Sequence, residues 1–446
     1  MRIVIAGAGE VGFHLAKMMS CENHDLYIID SSQERLNYVQ SRLDVYTVKG
    51  DASNIQVLQE NKISSCDLLI AATSVEETNM LICITGKKLG AKNTIARISN
   101  YEHMNDDSIR FYTDLGVDNI VSPVTLASKE IIRLINQTAF TEDHEFEGGK
   151  LTAFGISVTS SSPLVNKSIK DTSFLNPNKE FKPIAILRKN QPIIINSESI
   201  IKENDIVYFI STPTHIAEVI KICGQSCFEI KNIMILGGSP MGIITAEALE
   251  KKFKVTLIER DKNKAEEIAN RLKNTLVINV DGRNVSALEE ENLEDMDAFI
   301  SLTGDSETNI ISSLVAKSHN VKKTIARVEN IDYIDLSHNI GIDTLINKKI
   351  IAANEIFKYV RKGEIKAVVN LYDLNAELIE FDVKEGTKIT SKPLRELKLP
   401  KNSNIAGVIR NDEGIVPFGG FQVQAGDKAV VFIETESISK IEAFFN

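Results

Sequence analysis

Over the opening stretch of the chain, short apolar runs alternate with segments in which apolar side chains recur every three or four positions. RIVIA (from Arg2), DLYIID (from Asp25), VYTVKG (from Val45), DLLIAA (from Asp67), TIARI (from Thr94) and NIVSP (from Asn119) read as strands. FHLAKMM (from Phe13) and EETNMLICITGKKLG (from Glu76) read as amphipathic helices. Such alternation predicts βαβ units and a parallel sheet covered on both faces, a compact doubly wound domain. A helical segment follows at Ser122–Gln137, and then the pattern changes. LTAFGISV, PIAILRKNQPIII and DIVYFIS are short apolar runs separated by polar turns such as Lys189–Gln191, which predicts a small α+β domain.

The whole pattern then recurs. IAATSVEETN (Ile70–Asn79) matches ISLTGDSETN (Ile300–Asn309), and TIARI (Thr94–Ile98) matches TIARV (Thr324–Val328), both at a separation of 230 positions. IVIAGAGEVG from Ile3 and IMILGGSPMG from Ile233 keep the same separation, and LGVDNIVSP from Leu115 resembles IGIDTLINK from Ile340. A second helical segment (Asn347–Lys362) precedes LIEFDV, IAGVIRNDEGIVPFGG, with a turn at Asn411–Gly414, and KAVVFIE. The chain is one unit written twice. The fold class expected is α/β: two tandem Rossmann-like doubly wound parallel-sheet domains (1–123 and 231–348), each followed by a small α+β domain (140–225 and 366–446). A polar stretch near Gly224–Asn232 separates the halves.

Composition narrows the functions. At 446 residues roughly three domains are expected, two to four being ordinary for this length. A net charge of −10, without any block of Lys and Arg, argues against a nucleic-acid surface. The opening MRIVIAGAGE starts a strand and reads as no signal peptide. No apolar stretch approaches the roughly 18 residues of a membrane span. Five cysteines do not make a disulfide framework. Cys21, Cys66 and Cys83 read as small buried residues, whereas Cys223 and Cys227 are spaced for a thiol switch that no nearby His or second Cys pair supports. The histidines show no paired metal-ligand spacing, and a reducing cytoplasm is the expected compartment.

Gly7, Gly9 and Gly12 form G-x-G-x-x-G directly after the strand RIVIA, with Val11, Leu15 and Met18 at helical spacing beyond them. The first glycine permits the tight turn, the second lets a pyrophosphate approach the backbone, and the third lets helix and strand pack closely. Free N–H groups at the helix start then face an anion. Asp30 ends the second strand about 20 residues on, the place for a carboxylate on a ribose 2′-OH. It would repel a 2′-phosphate, and Ser31 and Ser32 follow it instead of Arg, so NAD(H) is preferred over NADP(H).

Asp51 follows the third strand, where it lines the adenine end or serves the next helix N-terminus. Thr73 and Ser74 follow the fourth strand, as phosphate or ribose donors or as caps of the next helix. Arg97 is a charge in an otherwise apolar strand and needs a partner, a ligand phosphate or a carboxylate across the crevice.

In the second copy the motif reads Gly237, Gly238, Ser239, Pro240, Met241, Gly242. Ser239 crowds a pyrophosphate where the middle glycine belongs, and Pro240 removes one N–H donor. Glu259 ends the second strand there, Arg260 follows, and Thr303 and Arg327 repeat Thr73 and Arg97. This crevice reads as a weaker site, a site for a different nucleotide, or a structural remnant.

No acid–base constellation repeats in the small domains; His144 and His215 are isolated. The sequence therefore favours a domain that senses a nucleotide over one that consumes it. The competing reading is an NAD-dependent oxidoreductase whose second half closes over substrate.

GAGEVG at Gly7–Gly12, LYIID ending at Asp30, GDAS at Gly50–Ser53, AATSVEETN at Ala71–Asn79 and IARI at Ile95–Ile98, duplicated in tandem, resemble the TrkA family over essentially the whole chain. These are the peripheral subunits of Trk potassium uptake systems, built from RCK-N and RCK-C domains that regulate potassium conductance. The resemblance implies an NAD site (NAD⁺ or NADH), with ATP or ADP as alternatives at the same or the second crevice. It assigns that site to Gly7–Val11, Asp30, Thr73–Ser74 and Arg97, with a second around Gly237–Met241, Glu259 and Thr303. It also implies self-association into a ring, as dimer or tetramer, on the inner face of the cell membrane. The partner there would be a membrane-embedded potassium-conducting subunit of the TrkH or TrkG type. The segments Ser122–Gln137 and Asn347–Lys362 would be subunit contacts, or else pack on their own sheets. The protein so implied is not an enzyme.

Overall fold

The computed structural model describes all residues except 21–23, 137–141, 173–174, 189–190, 226–228, 331–340, 361–364, 372–375, 401, 435–436 and 446. Cys21, Cys227 and the turn residues Lys189 and Asn190 therefore lie outside the described residues.

The first copy begins with β1 (Arg2–Ala6), α1 (Glu10–Ser20), β2 (Asp25–Asp30), α2 (Gln33–Gln40), β3 (Tyr46–Lys49) and α3 (Ile55–Glu60). It continues with β4 (Leu68–Ala71), α4 (Glu76–Lys88), β5 (Asn93–Arg97), α5 (Asp106–Leu115), β6 (Asn119–Val121) and α6 (Pro123–Asn136). The sheet order is β3-β2-β1-β4-β5-β6, all parallel. That order reverses direction between β1 and β4, and ligands of such sheets bind in the crevice opened there at the carboxyl ends of the strands. β1 and β4 are buried on both faces because helices cover both sides. On α1 the buried stripe is Val11, Leu15, Ala16 and Met19; Met18, expected inside, is only partly buried, one position off the stripe.

After β7 (Glu142–Phe146), β8 (Leu151–Ser157), β9 (Phe181–Arg188), β10 (Gln191–Ile194), β11 (Ile206–Ser211) and α7 (Ile216–Ile222), the doubly wound pattern returns. It runs β12 (Asn232–Leu236), α8 (Pro240–Leu249), β13 (Lys254–Glu259), α9 (Lys262–Arg271), β14 (Thr275–Asn279) and α10 (Val285–Glu290). β15 (Ala298–Ser301), α11 (Ser306–Ser318), β16 (Lys323–Arg327), β17 (Thr344–Ile346) and α12 (Lys348–Val360) complete it. Its order, β14-β13-β12-β15-β16-β17, repeats the first. The last part holds β18 (Ile365–Leu371), β19 (Ala376–Asp382), β20 (Ser403–Arg410), β21 (Glu413–Ile415), β22 (Lys428–Glu434) and α13 (Ile438–Phe445). The edge strand β7 (EDHEF) carries no apolar run and escapes the sequence pattern, and β18 (IKAVVNL) goes unmatched as well although most of its residues are apolar.

The compact units are not the sequence halves. One comprises Met1–Arg133 with Lys231–Val360, the other Leu134–Ile230 with Arg361–Asn446. In the first unit α12 packs on α1 of the other copy: Ala352, Ala353, Ile356, Phe357 and Val360 share a core with Val11, Leu15, Ala16 and Met19. Ser128 of α6 donates to the Met241 carbonyl at 3.4 Å. Both helical segments thus reach across to the opposite copy, instead of packing only on their own sheets.

In the second unit the antiparallel sheets β10-β9-β11-β8-β7 and β18-β19-β22-β20-β21 meet face to face. Leu151, Ala153 and Ile210 of one interleave with Ala406, Val430 and Phe432 of the other. The hairpin between β20 and β21 turns on Asn411 and Asp412, both at positive φ, as the Asn-Asp pair predicts. Buried in this unit, the Lys182 ammonium is held by the Asn404 Oδ1 (2.7 Å), Ile405 (3.1 Å) and Pro417 (3.3 Å) oxygens, and burial pulls its pKa down to about 8.

Candidate functional site

The crevice of the first copy is a cavity of about 1100 Å³ at the carboxyl ends of the strands. Of the residues singled out in the sequence, Gly7, Ala8, Gly9, Glu10, Val11, Asp30, Asp51, Thr73, Ser74 and Arg97 all line it. Gly12 lies beneath, buried in α1.

The three glycines have different physical roles. Gly7 has φ +109°, and a Cβ there would sit 3.0 Å from the Ala72 carbonyl carbon. At Gly12 a Cβ would lie 1.9 Å from the Gly7 oxygen. These two are required by the fold itself. At Gly9 a Cβ would meet nothing within 4 Å, so that glycine faces the open crevice.

Asp30 is nearly buried, and its carboxylate organises the loop. Oδ2 accepts the Ala8 N–H at 2.7 Å and Oδ1 accepts the Ser32 N–H at 2.8 Å. Each oxygen can accept a further hydrogen bond, and the Arg35 guanidinium lies 3.9 Å from Oδ2. Asp51 accepts from the Ser53 N–H (2.9 Å) and hydroxyl (2.7 Å), bonds that hold its pKa below the usual carboxylate value. It is a turn residue on the crevice wall, and the cap of α3 is Asn54. Thr73 and Ser74 do not cap α4 either, since the N-cap position is Val75 and carries no side-chain bond.

Thr73 is held by Asn79, which accepts from its N–H (2.8 Å) and pairs with its hydroxyl (2.7 Å). The Asn79 amide in turn donates to the Arg97 carbonyl at 2.8 Å and the Thr73 carbonyl at 3.2 Å. Asn79 ties the ends of β4 and β5 together. Asn309 makes the same four bonds in the second copy. Sequence reasoning assigned it no role, although its place in both copies of the motif was the signal.

Arg97 donates to the Thr73 carbonyl at 3.2 Å, and its Nε is buried with no partner among the described residues. Burial lowers its pKa, opposed by Glu329. An arginine with an unused buried donor on a crevice wall suits an anionic ligand. His14 also lines the cavity; burial, with Lys17 nearby, pulls its imidazole down to about 4.

Three lining residues come from the second copy and were not foreseen: Glu329, Asn330 and Lys349. Lys349, at the start of α12, pairs with Glu10 and lies 2.9 Å from Glu329. Glu329 also takes the Arg327 Nε at 3.0 Å and lies 3.2 Å from Lys348. Burial would raise the Glu329 pKa, but its bonds from Lys349 and Arg327 hold it at about 2.

The corresponding loop of the second copy is built differently. Ser239 caps α8, accepting from the Gly242 N–H at 3.3 Å, and its hydroxyl donates to the Leu302 carbonyl at 2.7 Å. Pro240 takes the first helical position, where a missing N–H costs nothing. Glu259 accepts the Gly238 N–H at 3.0 Å, as Asp30 does for Ala8. A Cβ at Gly238 would meet Ile268 Cδ1 at 2.3 Å, so α9 crowds the loop from above. Met241 is buried, and Thr303 is committed to Asn309.

Cys66, Cys83 and Cys223 are buried free thiols. Burial raises all three, Cys66 to about 11, which keeps them protonated and unreactive.

The architecture defines a class: tandem doubly wound domains with a glycine-rich crevice, each trailed by an antiparallel companion. Residues 3–123 and 233–348 match the TrkA-N domain, and residues 154–224 and 378–446 match the TrkA-C domain. The chain belongs to the TrkA family. A relative named Trk system potassium uptake protein TrkA homolog 1, from Methanosarcina mazei, is 33% identical over 100% of both chains. Trk system potassium uptake protein TrkA of Vibrio alginolyticus is 31% identical over 100% of this chain and 98% of its own. In fold the chain is similar to the GsuK RCK domain, with TM-score 0.61 and 16% identity over 99% of this chain and 94% of that one. It is likewise similar to the GsuK channel bound to NAD, with TM-score 0.60 and 16% identity over 100% of this chain and 78% of that one. Among the described residues no helix is long and apolar enough to cross a membrane.

Proposed function

We propose that this chain is a regulatory subunit of a potassium uptake system, binding an adenine nucleotide, preferentially NAD(H), in the crevice of its first copy without turning it over. The observation that carries the reading is that crevice: a roomy cavity with Gly9 facing open space, Asp30 at the end of β2 and Arg97 with a buried donor that has no partner among the described residues. Family membership supports the potassium role, since full-length relatives bear the name of a potassium uptake protein. The fold likeness to a channel structure bound to NAD supports the ligand class.

The bound dinucleotide would place its pyrophosphate at the α1 N-terminus, over Gly9, Glu10 and Val11, and its adenosine ribose on Asp30. Thr73, Ser74 and Asp51 would border it, with Thr73 positioned by Asn79. ADP or ATP would use the same adenosine and phosphate contacts. Ser239 and the approach of Ile268 to Gly238 favour a structural second crevice, with the helix start satisfied internally.

Self-association into a ring docked on the cytoplasmic face of a TrkH- or TrkG-type subunit would convert ligand binding into gating. That requires only differential affinity: a tenfold shift between open and closed rings takes ~1.4 kcal/mol.

The test is Asp30→Ala in a cell dependent on this transport system, with calorimetry on the purified chain. Weakened NAD binding together with altered potassium uptake is expected. Unchanged affinity and uptake refute the reading, as does steady NADH oxidation with a metabolite, which would favour the oxidoreductase.

A further inference from the structure

We infer that the nucleotide site is composite: the second copy supplies Lys349 as a phosphate ligand to the crevice of the first. The inference rests on the nucleotide reading above and adds to it a residue outside every glycine motif.

Three observations carry it. Lys349 lines the same cavity as the glycine loop, and it reaches the loop through Glu10, the residue directly after Gly9. α12 is fixed there by its apolar packing on α1, so the lysine is presented by a rigid element and not by a mobile loop. A second cation stands on the same cavity: Arg97 lines it too, and its Nε is buried with no partner among the described residues, so an anion held by Lys349 would find a further donor there.

The device is one-sided. The first-copy positions that correspond to Glu329 and Lys349 are Ser99 and Val124, neither of them charged. The copy whose own glycine loop is altered is therefore the one that offers charge to its neighbour. Before a phosphate arrives, Glu10 and Glu329 neutralise Lys349; a phosphate at the α1 N-terminus competes with Glu10 for it. Ligand binding then changes a bond between the copies, at the junction of α1 and α12.

Calorimetry on the full chain with NAD, ADP and adenosine tests this. Lys349→Gln should weaken NAD and ADP about tenfold, the size of a charge-assisted contact, and leave adenosine unchanged. Lys349→Arg should restore binding. Glu10→Gln, which breaks the same ion pair from the other side, should tighten NAD and ADP by freeing the lysine. Equal weakening of all three ligands by Lys349→Gln would mark a structural role and overturn the inference, as would unchanged NAD and ADP affinity in a wild-type background that binds them. A wild-type chain that binds none of the three overturns the nucleotide reading itself, and this inference with it.

Discussion

Gly9 and Gly12 lie three positions apart in one motif, yet their substitution by alanine should fail in opposite ways. At Gly12 the new methyl would lie 1.9 Å from the Gly7 oxygen, where ordinary contacts begin near 3.4 Å. α1 must therefore move about 1.5 Å off the loop, against a packed core that includes Val11, Leu15 and the α12 side chains. Overpacking of this kind costs about 3 kcal/mol, which lowers Tm by about 6–12 °C at roughly 2–4 °C per kcal/mol. At Gly9 the methyl meets nothing within 4 Å. Stability should stay within about 0.5 kcal/mol of wild type. Affinity should fall by about ten- to a hundredfold, because the methyl fills the approach to the helix N-terminus and displaces one charge-assisted N–H bond worth ~1.5–3 kcal/mol. Differential scanning fluorimetry with and without NAD separates the two: Gly12→Ala shifts the baseline Tm, whereas Gly9→Ala removes the NAD-induced shift alone. If Gly9→Ala melts like Gly12→Ala, or binds NAD as well as wild type, the division between fold glycine and ligand glycine is wrong.

Two charges, the half-buried Glu329 and the buried Lys182, set pH dependences that can be measured. Glu329 has its folded pKa depressed from 4.5 to about 2, so its ion pairs contribute stability above the unfolded value, and that contribution disappears as pH falls toward 2. Glu329→Gln should flatten this part of the acid limb in urea melts between pH 5 and 2; an unchanged slope would exclude Glu329 as a contributor. Lys182 is lowered from 10.5 to about 8, so the unfolded chain binds more protons between these values and stability should rise with pH across that window. Lys182→Met should reduce the rise and leave the share of Lys323, which burial also lowers to about 8; a rise of equal size in the variant would assign all of it to other groups.

The duplication, the strand–helix alternation and the glycine motif were legible in the sequence because each depends on local physics. A parallel strand buried on both faces must be a continuous apolar run, as in LLIA at Leu68–Ala71, and a helix on one face must show the spacing of Val11 and Leu15. The adverse substitution at Ser239 was also legible, though not its outcome. The serine was expected to crowd a phosphate; in the structure its hydroxyl caps α8 and bonds to Leu302, a carbonyl 63 positions away. Asn79 was equally hidden, since its bonds connect two strand ends that only the folded sheet brings together.

The sequence by itself determined what each copy is: an alternation of buried strands and amphipathic helices, opened by a glycine-rich turn after the first strand and followed by a smaller domain of short strands. Those properties are set by side-chain periodicity and backbone freedom within a few residues. Only tertiary structure decided how the copies combine. The halves of the sequence separate, like domain joins like, and α12 crosses to α1 of the other copy because its apolar face is buried there. That burial carries Lys349 to Glu10 across a sequence distance that no local pattern encodes, and with it the second copy lines the first copy's crevice.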